Sequence, residues 1–554
     1  MSFLTAFACW GANHEKLSDF EKSIVNIGLE NNNLIIDKNP SRKTIRNFYF
    51  YTQGPFDPTD KLLAWLDHTQ FRTRDIALKN QLWAYSGEKY REQIIIENER
   101  ILLNPAVRTF VLIFPVQKAN AISESDVDLL IVSKDIFNWQ LTYNLSGSGS
   151  NLTQFSLGLA QTNLFGLNKT VGINAALDQA LLNLSAYYFD PSLFSSKNQL
   201  TLQQGVVLDR HSGHYEGVNG SMLLTYPLMI ETVRWGYSAA INYSYQPIYD
   251  FQGDKLRLYE GQARQYHQFQ IVPNLTLTRS FGTTYKNNLS AGFGLNLGKY
   301  EALEPVTEDF IKRVLPRNEL QSYLIFGYNY FQNKFIALYN YNTFAMTEWQ
   351  QLGASINFVN HVGLRFLGSD FSFYRPGLAL GQTFALGKDS IVSLIGSGQT
   401  RIQDGLLNNQ ASTSLTAVLP TIAGVGRFVL SGLYSNIWNN QNNLQSTLGV
   451  STGLRGVPFR YYQGTQLLRT NLEFRTVSLP AWILRLGLDA FYDFGAAFSD
   501  QTGFNPSHDV GLGLRILVVP WNRVLLRIDA AVPVAGPFAG MKNTLVSFGL
   551  GQAF

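Results

Sequence analysis

Over its last five apolar runs the chain alternates with a period of two, and the ionised side chains keep to one parity. In 467–475, Arg469, Asn471, Glu473 and Arg475 alternate with Leu468, Thr470, Leu472 and Phe474. In 484–494, Arg485, Asp489 and Asp493 oppose Leu484, Leu486, Leu488, Ala490, Tyr492 and Phe494. In 510–518, Gly511, Gly513 and Arg515 oppose Val510, Leu512, Leu514, Ile516 and Val518, and in 524–532 Arg527 and Asp529 oppose Val524, Leu526, Ile528, Ala530 and Val532. The final run places Val546, Phe548, Leu550 and Phe554 on one parity. Successive side chains of a strand point to opposite faces, so these are strands with two unlike faces.

Alternation alone also fits a soluble sandwich or a lectin-like protein. The distribution of charge separates the cases. Here arginines and carboxylates share one face while the other is almost wholly large and apolar over successive strands. In lipid an arginine at mid-depth on the outer face costs ~2–4 kcal/mol, which pushes charge into the lumen. The pattern therefore predicts an all-β, antiparallel transmembrane barrel. Composition agrees: charged residues are 15%, where about 25% is usual, and aromatics are 13%, enough for interfacial girdles. No apolar run approaches the ~18 residues of a membrane-spanning helix. A net charge of +4 with no basic block gives no reason to expect nucleic acid as a partner.

The chain divides into three stretches. Residues 1–39 are expected to be a leader or linker. The single cysteine, Cys9, excludes an internal disulfide or a CxxC metal site. Ala6-Phe7-Ala8 would suit cleavage just before Cys9, which leaves lipid modification of Cys9 open, although Ala6 stands where lipoprotein leaders carry Leu. Residues 40–137 read as a small β-α-α-β-β unit. Lys43–Tyr51 has strand composition, a helix starts at Pro58, and a second helix from about Tyr90 to Leu103 carries the stripe Tyr90, Ile94, Ile95, Ile101 and Leu102. Val107–Phe114 and Val127–Ser133 are strand-like. Residues 138–554 form the barrel, its first strand expected at Phe155–Ala160 with a turn near Gly166–Asn168. The expectation is sixteen strands, with up to about twenty allowed, some runs being hairpins in loops.

Several short patterns occur in order: Thr162-Asn-Leu-Phe-Gly166, Tyr188-Phe-Asp-Pro191, Gly453-Leu-Arg-Gly-Val-Pro-Phe459, Asn471-Leu-Glu-Phe-Arg475, Phe491-Tyr-Asp-Phe-Gly495, Gly511-Leu-Gly-Leu-Arg515 and the terminal Phe548–Phe554. Together they resemble the Omp85 superfamily of outer-membrane assembly and two-partner-secretion transporters, and 40–137 resembles one POTRA domain. The loop motif of that family stands here as Leu454-Arg455-Gly456-Val457, with Val457 where an aromatic is usual and Phe459 available to replace it. The resemblance implies that this long loop folds into the lumen, where Arg455 meets Asp493, with Glu473 as the competing partner. It also implies that Phe548 and Phe554 form a terminal assembly signal. Gly549 and Gly551 in the last strand have two readings: an easily opened seam between first and last strands, or room for bulky lumen groups opposite.

The function implied is a protein translocation or insertion pore. The N-terminal unit would lie in the periplasm and capture unfolded client polypeptides by strand addition, and outer-membrane lipid and the barrel-assembly machinery would be partners. The alternatives are a passive, porin-like diffusion pore or a surface structural protein. No nucleophile elbow, P-loop or dinucleotide motif is seen, the pair His211/His214 has no acidic cluster beside it, and neither an enzyme, a metal nor a cofactor is expected.

Overall fold

The computed structural model describes residues 17, 19–56, 66, 69–104, 106–120, 122–148, 151–252, 255–344, 347–519, 524–539 and 544–553. Cys9, the expected helix start at Pro58 and Phe554 lie outside these residues.

The N-terminal domain contains helices α1 (Asp19–Asn31), α2 (Asp75–Gln81) and α3 (Glu92–Leu102) and strands β1 (Leu34–Ile36), β2 (Thr44–Gln53), β3 (Arg108–Lys118) and β4 (Asp126–Asp135). The sheet order is β1-β3-β4-β2, with β2 parallel to β4 and the other pairs antiparallel. Alternate residues of β3 and β4 serve two cores. Val111, Ile113, Leu129 and Ile131 pack with Leu78, Leu82, Ile95 and Leu102 from the α2–α3 side, while Phe114, Val116, Leu130 and Val132 pack with Ile24, Val25 and Leu29 of α1. The segment expected to be leader or linker thus contributes a helix and an edge strand. Without α1 the second apolar face of β3 and β4 would be bare, at ~25 cal/mol per Å² of exposed apolar surface.

Among the described residues, twenty antiparallel strands close into a barrel, the upper end of the expected sixteen to about twenty, with the short piece Leu479–Ala481 continuing the strand Gln466–Thr476 alongside Leu484–Phe498. The strand-like runs enter the wall almost throughout. The short hairpins 251–256, 258–263, 335–351 and 446–464 are the exceptions. The first barrel strand is Trp139–Ser148, not the run at Phe155, which lies in the second strand, Asn151–Leu164. The last strand, Leu545–Leu550, closes the barrel against Trp139–Ser148 through two register pairs among the described residues, Ser547 with Ser146 and Phe548 with Leu145. Antiparallel order puts the turns at 165–168, 191–198 and 227–234 and the hairpin 333–352 at the end that carries the N-terminal domain. The long loop 439–465 starts from the opposite end.

The outer wall is apolar: Leu488 and Leu512 are 60% and 70% exposed, and Leu472, Tyr492 and Val510 share their parity. Inward positions on the same strands, Glu473, Asp489, Asp493, Arg515 and Asp529, are buried. An apolar outside and a charged inside suit a bilayer-embedded barrel.

Candidate functional site

The loop between strands Gly426–Trp438 and Gln466–Thr476 turns back into the lumen. Strands Ser446–Leu448 and Tyr462–Gly464 pair at its base. Leu454 and Val457, both fully buried, pack with Leu448, Tyr462, Leu467, Ala496, Ala497 and Phe538. Val457 thus makes the apolar contact in person, and Phe459 is buried as well, with the Arg460 guanidinium over its ring. Burying side chains of this size is worth ~1.5–3 kcal/mol each, so the turn is seated by packing before any charge is counted.

The charged contact is made at the tip of the turn. Arg455 donates from Nε to Asp493 Oδ2 at 2.8 Å and from Nη2 to Asp493 Oδ1 at 2.7 Å, a two-pronged pairing. Its Nη1 donates to Glu473 Oε1 at 2.5 Å and lies 3.8 Å from Asp529. The guanidinium carbon sits 3.4 Å from the centre of the Phe491 ring. Asp493 and Glu473 are therefore joint partners, not competitors. Asn471 fixes Asp493 from the wall at 2.7 Å and also donates to Gly453 O at 2.6 Å. Gly456 has a steric reason: its N–H donates to Asp509 at 3.0 Å, and a Cβ there would stand 2.7 Å from Asp509 Cγ.

The surrounding wall continues the network. Arg475 donates to Glu473 at 2.7 Å, Arg515 reaches Asp489 and Asp529 at 2.7 Å each, Arg527 lies 3.3 Å from Asp529, and Arg469 donates to Thr452 O at 3.1 Å. Arg455, Arg469, Arg475, Arg515 and Arg527 are matched in number by Glu473, Asp489, Asp493, Asp509 and Asp529. Matching matters because an uncompensated buried charge costs several kcal/mol, whereas a paired one roughly breaks even. The network specifies where the loop sits more than it stabilises the barrel. Sequence reasoning missed Asp509, although it is in register with Asp493 on the inward parity. It also missed Phe491, whose parity places it beneath Arg455.

Gly549 answers to packing: a Cβ there would lie 2.9 Å from Arg527 Nη2, while Gly551 has open space and a φ of +76 that ends the strand. The weak seam comes instead from its short register. Phe548 is half-buried, in register with Ile528 on one side and Leu145 on the other.

The Thr162–Gly166 turn holds the N-terminal domain. Arg108 and Asp135, both buried, face each other at 3.8 Å, and Thr73 donates from its N–H and hydroxyl to Asp135 at 2.8 and 2.9 Å. Arg108 Nη2 donates to Asn168 Oδ1 at 2.6 Å, and Asn163 donates to Thr73 and Phe71 O at 2.9 and 3.1 Å. Arg74 N–H reaches Gly166 O at 2.9 Å, and a Cβ on Gly166 would meet Arg72 O at 2.3 Å. Burial pulls the Arg108 guanidinium down to about 10 against the pull of Asp135, and burial pushes the Asp135 carboxyl up. A second clamp is Lys197, which donates to Asn80 O and Leu82 O at 2.5 and 2.6 Å; burial lowers its ammonium to about 8. The domain is thus fixed to the barrel by polar groups with few water-accessible alternatives. No group of residues with metal-ligand character occurs among the described residues.

No family model matches the chain, and no curated protein matches it. Among solved structures, it is similar to BamA from Haemophilus ducreyi lacking POTRA domains 1-3, at 13% identity and a TM-score of 0.37, over 92% of this chain and 84% of that one. It is similar to CdiB from Acinetobacter baumannii, at 13% identity and a TM-score of 0.44, over 96% and 80% of the two chains. CdiB from Escherichia coli matches at 12% identity and a TM-score of 0.41, over 97% and 84%.

Proposed function

We propose that this chain is an outer-membrane translocation or insertion pore of the Omp85 type, with a POTRA-like N-terminal domain in the periplasm and the loop 439–465 entering from the outside. The observation that carries the reading is the Leu454–Val457 turn seated inside the barrel with Arg455 on Asp493. That is the arrangement the motif resemblance implies. A passive pore needs an open lumen, and here a packed loop occupies it. No catalytic role is proposed.

Unfolded client polypeptides would first meet the sheet of the N-terminal domain. Among the described residues β2 pairs along its length with β4, and its outer edge is bonded at 43–46 by the segment 86–90, where Ile45 N–H donates to Glu88 O and Ile45 O accepts from Gly87 N–H, both at 2.8 Å; β3 has its edge partly covered by β1 at 116–118. The template would be the outer edge of β2 beyond Arg46, and strand addition there gives affinity through backbone hydrogen bonds with little sequence demand. The client would leave through the lumen or through the two-pair seam at Ser146 and Ser547. Membrane lipid borders the seam, and the assembly machinery that inserts other barrels would insert this one.

The test is reconstitution of the full chain in liposomes, challenged with a urea-unfolded outer-membrane β-barrel polypeptide. The expected result is protease-protected, folded product forming faster than in empty liposomes. No acceleration, together with a steady open ion conductance, would replace the proposal by a diffusion pore.

A further inference from the structure

The hairpin 333–352 stands at the barrel end occupied by the N-terminal domain, joining wall strands Glu319–Gln332 and Gly353–Gly363. Its arms, Phe335–Tyr339 and Thr347–Gln351, pair with each other and belong to no wall ladder. Leu338 is fully buried and packs, with Ile336 and Leu352, against Ile391, Val418 and Val429. These wall residues point inward, since Val429 is in register with the lumen residue Glu473. Phe344 at the tip is buried against Leu517 and Leu525 and lies over Gly487, where a Cβ would stand 2.4 Å from its ring. Glu348 closes the tip by accepting from the N–H groups of Asn342 and Thr343 at 2.7 and 3.0 Å. The hairpin is a folded plug in the lumen, and at its base the Arg100 guanidinium of α3 sits 4.8 Å from the Phe335 ring.

Two wall arginines grip the backbone of the plug. Arg427 donates to Tyr339 O at 3.1 Å, and Arg475 donates from Nη1 to Tyr341 O at 3.4 Å. Arg475 also donates from Nε to Glu473 Oε2 at 2.7 Å, while Glu473 Oε1 receives Arg455 Nη1 at 2.5 Å. One buried carboxylate therefore divides its two oxygens between the arginine that holds the plug and the arginine that holds the loop.

We infer that the two lumen elements are coupled through Glu473: withdrawal of the plug 335–351 frees Arg475 to compete for both oxygens of Glu473 and so loosens the seat of Arg455 and its loop. Planar guanidiniums favour two-pronged pairing with a carboxylate, so Arg475, once released from Tyr341 O, has a better geometry available than the one it holds. The route from Arg100 of α3 to Phe335, along the hairpin chain to Tyr341, and on through Arg475 and Glu473 to Arg455 would let events at the N-terminal domain reach the opposite mouth. Arg475 is a positioning residue here. The coupling concerns the plug and the loop alone and stands whether or not a client passes.

The experiment uses the full chain in lipid nanodiscs, with hydrogen–deuterium exchange of 449–460 as the readout and gel mobility before and after heating as the check on barrel integrity. Two perturbations displace the plug: replacement of 336–350 by a short Gly-Ser linker, and the milder Gly487→Ala, which drives a methyl into the Phe344 ring. Either should raise loop exchange at least about fivefold, the lower range of coupled sites. In the Arg475→Gln background the same perturbations should leave loop exchange near its starting value, because the competitor is gone. Unchanged loop exchange on plug removal, or an equal rise in the Arg475→Gln background, overturns the inference.

Discussion

Four consecutive amides depend on the docked lumen turn, which makes Arg455 a residue whose contribution can be measured. The N–H of Leu454 donates to Gly449 O, that of Arg455 to Asp493, that of Gly456 to Asp509, and that of Val457 to Leu454 O. Their exchange with deuterium reads release of the loop without unfolding of the wall. Arg455→Met keeps the apolar stem and removes the charge. Breaking a buried pair from one side costs ~3–5 kcal/mol. Here Asp493 keeps Asn471 and Glu473 keeps Arg475, so the low end applies. A loss of ~3 kcal/mol is about two decades in the opening constant, and exchange of 454–457 should accelerate about 100-fold. Arg455→Lys restores charge but not the fork that reaches two carboxylates at once, and should fall between the two.

Asp493→Asn should weaken docking by a similar amount, and the double variant Arg455→Met with Asp493→Asn should lose less than the sum. The shortfall expected from charge-assisted bonds is ~1.5–3 kcal/mol. Additivity of the two singles within ~0.5 kcal/mol, or wild-type exchange in Arg455→Met, would show that the apolar cluster seats the loop and the ion pair is incidental. Barrel integrity should be untouched in all variants, since the wall has its own backbone ladder.

The remaining predictions address the seam, the domain junction, the sheet of the N-terminal domain and the C-terminus. Ser146→Cys with Ser547→Cys should cross-link readily across the closing strands and, when oxidised, abolish client insertion in liposomes; activity that survives oxidation would exclude the seam as the exit. Asn168→Ala removes the acceptor of Arg108 and should cost ~1–3 kcal/mol of domain docking, seen as faster exchange at 163–168 and at Thr73. Burial pushes the Glu99 carboxyl up to about 8 against the opposing Ile113 N–H, so its contribution is full below about 4.5 and is lost as pH rises through about 8. Protection of α3 and β3, corrected for intrinsic exchange, should therefore decline across that window in the wild type and stay flat in Glu99→Gln. Phe554→Ala should lower the amount of protein in the outer membrane, measured by surface labelling, while total synthesis is unchanged.

The late strands were legible because their lumen face is ionised. Arg515 against Leu514, or Asp489 against Leu488, is a contrast no soluble face needs to maintain over so many strands. The earlier wall lacks it. Ile391–Ile402 reads Ile-Val-Ser-Leu-Ile-Gly-Ser-Gly-Gln-Thr-Arg-Ile, where Ser393, Ser397 and Gln399 on one side meet Gly396, Gly398 and Thr400 on the other, and both sides carry aliphatic residues. With so little difference between faces, a wall strand and a loop hairpin look alike, and the strand number could not be read. The same ambiguity hid the plug: Phe335–Tyr339, Phe-Ile-Ala-Leu-Tyr, has the composition of a wall strand but spends Ile336 and Leu338 inside the lumen. The helix α1 left a usable trace that lay elsewhere in the chain. Val127–Val132 is nearly continuous in apolar residues, and a strand apolar on both faces requires cover on both.

The placement of the ion network bears on how such a barrel opens. Strands 466–476, 484–498, 507–518 and 526–535 are tied to one another by their ladders and, across the lumen, by side chains converging on Arg455 and Arg515. Among the described residues, the neighbouring strand Leu545–Leu550 pairs with 526–531 along its length but with the first strand only at Ser146 and Leu145. Unpaired backbone groups at membrane depth cost several kcal/mol each unless another strand supplies partners. The first strand therefore presents a template beside lipid, while the arc next to it is stiffened from within. Opening elsewhere would break a full ladder and, in the late arc, buried ion pairs as well. At the seam two described register pairs have to part, so the proposed exit lies where the fewest ladder bonds oppose it.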